Sequence, residues 1–69
     1  MNTLVQYRRN KGLTMEQVAK ALNYKYKSAI NNMEKGRATP NPTRIKALSE
    51  LYDVSIAQII NALIELEST

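Results

Sequence analysis

Residues 25–39 concentrate hydrogen-bond donors: Lys25, Tyr26, Lys27, Ser28, Asn31, Asn32, Lys35, Arg37 and Thr39. These side chains suit binding better than catalysis. Ser28 has no candidate base near it in the sequence. The chain also lacks histidine and cysteine, which excludes mechanisms built on either and thiolate or imidazole zinc sites. No glycine-rich loop is present to cradle a phosphate. A chain of 69 residues is not expected to form a deep pocket, for which ~300 Å³ is a lower bound. The expectation is therefore no enzyme, no cofactor, no metal and no small-molecule substrate.

The charge distribution indicates what the donors bind. Residues 1–46 hold all ten Lys and Arg and only two acids, Glu16 and Glu34; residues 47–69 hold Glu50, Asp53, Glu65 and Glu67 and no basic residue. Such asymmetry suits a chain whose first two-thirds meets a polyanion. No apolar run approaches the ~20 residues of a membrane span. Residues 1–11 lack the apolar centre of a signal peptide. The expected location is the cytoplasm, with no membrane partner.

Positioning these donors requires helices, and the helical signals are strong. A first helix is predicted over 3–11, with Leu4, Tyr7 and Arg8 on one face and Gly12 as a left-handed end. Thr14 and Gln17 fit a capping box that opens a second helix with Val18, Ala19 and Leu22 inside. A polar turn over 23–26 follows, with Asn23 able to take a left-handed conformation. A third helix is predicted over 27–35 with Ile30, Met33 and Glu34 on one face, closed by Gly36. Asn41-Pro42 starts a fourth helix over 42–52, burying Ile45, Leu48 and Leu51. Ser55 caps a fifth over 56–66.

Two short helices joined by a tight turn, the second flanked by basic residues, form a helix-turn-helix pattern. The order and spacing of several pieces resemble the phage repressor and Cro family of helix-turn-helix proteins over nearly the whole chain. These are Gly12-Leu13-Thr14, Val18-Ala19 and Leu22, then Ile30-x-x-Met33-Glu34-x-Gly36, then Leu48, Leu51, Val54-Ser55 and Ile59-Ile60. The resemblance implies an all-α, compact five-helix lambda-repressor-like domain over residues 1–69. It also implies a sequence-specific transcription regulator, of the phage or plasmid repressor type, acting on double-stranded DNA. Restriction-modification controllers and antitoxin-type autoregulators are similar in sequence.

Residue by residue, the resemblance puts Lys27, Ser28, Ala29 and Asn32 at base edges, with Asn31 as a further candidate; Asn pairs with adenine and Lys donates to guanine. It puts Lys35, Arg37 and Thr39 on phosphates, and Thr14 and Gln17 join that set. Lys25 and Tyr26 are expected on phosphate or sugar, the alternative for Tyr24 and Tyr26 being packing of a ring over the second helix. Arg8 and Glu34 fall where the family has a buried ion pair; solvated charges are the alternative. The chain departs from the family at Met15, where a phosphate-binding Gln is usual, and in a turn one residue longer. Met15 is expected to have no role, and Lys20, Arg44 and Lys46 are expected to be solvated.

The fifth helix carries Ile56, Ile59, Ile60, Leu63, Ile64 and Leu66, more than one face of a monomer core can absorb. Ile60, Leu63, Ile64 and Leu66 are expected to form a homodimer interface, Ile64 and Leu66 foremost; the alternative is core. A protein-interaction module using this helix, with weak or no DNA binding, is the competing function.

Overall fold

The computed structural model describes residues 2–67. Met1, Ser68 and Thr69, which the expected 1–69 unit includes, lie outside the described residues. Five helices and no strand appear among the described residues: α1 (Thr3–Asn10), α2 (Met15–Ala21), α3 (Ser28–Glu34), α4 (Pro42–Tyr52) and α5 (Ile56–Glu67). The all-α helix-turn-helix architecture expected from the sequence is the one observed. The third helix is a residue shorter at each end than expected, because Lys27 and Lys35 are its caps.

Local chemistry explains the boundaries. Asn2, Thr14 and Asn41 each accept a hydrogen bond from a backbone N–H in the first turn of α1, α2 and α4, satisfying donors that have no partner within the helix. Thr14 with Gln17, and Ser55 with Gln58, close reciprocal capping boxes at the starts of α2 and α5. The first four helices end alike, each with a left-handed residue: Gly12, Asn23, Gly36 and Asp53. Behind Asn23, the Tyr24 N–H reaches the Ala19 carbonyl at 2.8 Å and the Asn23 N–H reaches that of Lys20 at 3.2 Å. This is the paired hydrogen-bond pattern of a Schellman end, with asparagine where glycine is usual.

The core is one cluster fed by all five helices. Leu4, Val18, Ile30, Met33, Leu48 and Ile59 are almost fully enclosed. Each stabilises the fold by roughly 1.5–3 kcal/mol relative to exposure. The close partners are α4 with α5, α2 with α3 and α1 with α5, and α4 meets α5 at a 110° bend. No single helix among the described residues is long and apolar enough to cross a membrane.

Two expectations for α5 need correction. Leu63 is buried in the core, and Leu66 is half-buried against it. Neither lies on an open seam. Ile59, Ala62, Leu63 and Leu66 form the inward stripe at i, i+3, i+4, i+7 spacing. The outward apolar residues are Ile56, Ile60 and Ile64, which are 45%, 41% and 54% exposed.

Candidate nucleic-acid interface

The site is built on α3. Ile30, Met33 and Glu34 face inward and are buried. At about 100° per residue, the opposite ridge is Ser28, Asn32 and Lys35, flanked by Asn31 and Ala29. Ser28 and Lys35 are exposed, and Ala29, Asn31 and Asn32 are half-buried. The side of the rod away from the core is therefore polar.

One ion pair fixes the depth of α3. Arg8 Nε lies 2.6 Å from Glu34 Oε2, and Nη2 donates to Glu34 Oε1 at 3.2 Å. The side chains are only 11% and 4% exposed. The remaining guanidinium nitrogen, Nη1, donates to the Leu13 carbonyl at 3.0 Å, so one side chain ties α1, the α1–α2 loop and α3 together. The hydrogen bond from Arg8 to Glu34 holds the guanidinium pKa above its ordinary value against burial. Burial, with the Glu34 carboxylate close by, pushes the phenol of Tyr52 well above the usual tyrosine range. Asn2 Nδ2 donates to the Glu34 carbonyl, so the residue that caps the start of α1 also satisfies the end of α3.

Beside the head of α3, an open groove of about 750 Å³ runs along α2 and the turn, lined in part by Thr14, Gln17, Lys20, Lys25, Tyr26 and Lys27. It opens to solvent. Lys20, exposed as expected of a solvated position, also lines this groove. Glu16 is the acid in it, its carboxylate 3.8 Å from Lys27 Nζ in an exposed pair. Thr14 and Gln17 spend their oxygen acceptors on the capping box, which leaves a hydroxyl proton and an amide NH₂ to offer an incoming acceptor. Tyr26 is 65% exposed, with Lys25 Nζ 5.6 Å from its ring centre.

Lys35, Arg37 and Thr39 are exposed in and around the loop after α3. That loop is seated by Gly36, with φ at +76°, where an added Cβ would lie 3.2 Å from the Leu66 carbonyl oxygen. At the far end of α5, Glu65 accepts from both the hydroxyl (2.7 Å) and the N–H (3.3 Å) of Thr3 at the start of α1. These bonds hold the Glu65 carboxyl below the usual carboxylate range.

Two further sequence readings change. Met15 is half-buried against the core, so a packing residue stands where the family usually has a phosphate-binding amide. Arg44 is half-buried and paired rather than freely solvated. Its Nε donates to the Leu22 carbonyl at 3.2 Å and its Nη2 to that of Asn23 at 3.5 Å. Its guanidinium lies 3.9 Å from the centre of the Tyr24 ring. Tyr24 itself packs partly against the core. No pattern near Arg44 in the sequence announces this, because its acceptors are backbone carbonyls over twenty residues away.

A family model described as helix-turn-helix matches residues 4–59. The chain is 37% identical over 58 residues to the HTH-type transcriptional activator BcrR of Enterococcus faecalis, an alignment covering 84% of this chain and 28% of that protein. The chain thus spans well under a third of the length of this curated relative. No solved structure gives a significant match.

Proposed function

The chain belongs to the helix-turn-helix family, a family of DNA-binding transcription regulators, and from that premise we propose that it reads duplex DNA sequence-specifically with α3 in the major groove. One observation carries the reading: the ridge of Ser28, Asn32 and Lys35 faces away from a buried Ile30, Met33 and Glu34 stripe, beside a groove containing Lys20, Lys25 and Lys27. In this reading Lys27, Ser28, Ala29, Asn31 and Asn32 meet base edges. Thr14, Gln17, Lys25, Tyr26, Lys35, Arg37 and Thr39 meet phosphates, which set the register on the duplex and carry no sequence information themselves.

The stripe of Ile56, Ile60 and Ile64 favours a second copy of the chain as partner, so we extend the proposal to a symmetric dimer on a palindromic site. Half-sites would then lie ~34 Å apart. The finer reading is a repressor of the phage or plasmid type, and it rests on the resemblance of the sequence motifs to that family. The relative above is named an activator, and a reporter placed downstream of the selected site reads the sign directly.

Selection of bound duplexes from a random pool tests the proposal. A palindromic motif is the expected result. Recovery of unenriched sequence, with no salt-dependent binding to any duplex, would contradict it and leave the isoleucine stripe as the functional surface.

A further inference from the structure

We infer that Arg44, on a helix that the DNA reading does not use for contact, is a positioning residue for sequence recognition, and that it acts by locking the turn between α2 and α3. The inference rests on the DNA reading above. Recognition by α3 needs a fixed angle between α2 and α3, and the connection from Leu22 to Lys27 must supply it. That connection is one residue longer than the family pattern, and its exposed part, Lys25 to Lys27, contributes no residue to the core.

The clamp is built from three sides. Leu22 and Asn23 lie at the end of α2, where carbonyls have no partner within the helix. The guanidinium of Arg44 supplies donors to both through one rigid fork. Its flat face covers the Tyr24 ring at 3.9 Å, a geometry a planar cation can adopt while its edge is donating. Arg44 is itself held: its own N–H is capped by the Asn41 side chain at 2.9 Å, and it sits in the first turn of α4 behind Pro42. The left-handed Asn23 is therefore gripped by its own Schellman bonds and by α4. An ammonium in place of the guanidinium keeps the charge but cannot make both carbonyl bonds and the stack together.

The test compares affinity for the duplex selected by the wild-type chain with affinity for random duplex, at one salt concentration and well below the melting temperature. For Arg44→Lys and for Tyr24→Leu, the ratio is expected to fall by about tenfold, as for a lost specific contact, with random-duplex affinity nearly unchanged. Tyr24→Phe keeps the ring and should keep the ratio. The double variant Arg44→Lys/Tyr24→Leu should be no worse than either single one, because both remove the same clamp. An unchanged ratio in Arg44→Lys, or an equal loss on both duplexes, overturns the inference, since a purely structural role lowers both alike. If the wild-type chain selects no motif, the DNA reading fails and takes the inference with it; a motif with an unchanged Arg44→Lys ratio sinks the inference alone.

Discussion

Arg8 and Glu34, 26 positions apart in the chain, meet through two hydrogen bonds in the core-facing layer and so set how deeply α3 can sink. The pair is nearly enclosed, and each partner would be a stranded charge without the other. Glu34→Ala should therefore cost about 3–5 kcal/mol, measured by urea unfolding with the slope checked for constancy. A loss below about 1 kcal/mol would be that of an exposed pair and would contradict the geometry.

Base readers and phosphate contacts fail differently. Asn32→Ala should relax preference at one operator position, by about 1–3 kcal/mol. Lys35→Ala and Arg37→Ala should weaken every duplex alike and reduce the slope of log affinity against log salt by about 0.9 per lost contact. Binding measured on a panel of single-base operator variants at several salt concentrations separates the two. A uniform loss for Asn32→Ala, or a changed base preference for Lys35→Ala, would reverse the assignments.

The two apolar stripes of α5 should also part company. Leu63→Ala empties a core position and should destabilise the chain by about 2–5 kcal/mol, visible as a lower Tm. Ile64→Asp lies on the outward stripe and should leave the Tm of the monomeric chain nearly unchanged while shifting sedimentation toward the monomer. If Ile64→Asp sediments as the wild type does, the stripe is not a dimer seam.

Glu65 gives a pH signature with a definite sign. Its folded pKa lies below the ordinary value because of the two bonds from Thr3. Its stabilisation is present above the ordinary carboxylate pKa and is lost as pH falls through the depressed folded value. The Tm difference between wild type and Glu65→Gln should be widest near neutral pH and narrow in acid. A difference that stays constant with pH would place the interaction elsewhere.

Most of the fold was legible because its signals are local. Thr14 with Gln17, Asn41-Pro42 and Ser55 announce helix starts through side chains a few residues from the backbone groups they satisfy, and Gly12 and Gly36 announce helix ends by their left-handed backbone. The Arg8–Glu34 pair was legible for a different reason: each lies on a helix face with core residues. The phase of α5 is hard to read because its six large apolar residues run around the helix and the inward stripe is completed by a small one, Ala62. Counted with Ile59 and Leu63, Ala62 separates the inward stripe from Ile56, Ile60 and Ile64. Arg44 was not legible, since its bonds go to the carbonyls of Leu22 and Asn23 and its stack to a ring twenty positions away. Main-chain acceptors carry no residue-type signature.

Titration of the isotope-labelled chain with its selected duplex, followed by amide and side-chain NMR shifts, tests the central claim most directly. The largest changes should fall on Lys27, Ser28, Asn31 and Asn32 and on the side-chain amides of the two asparagines, with smaller ones at Thr14, Gln17, Lys35 and Arg37. Changes confined to α5, or none on the outer side of α3 at saturating duplex, would contradict it.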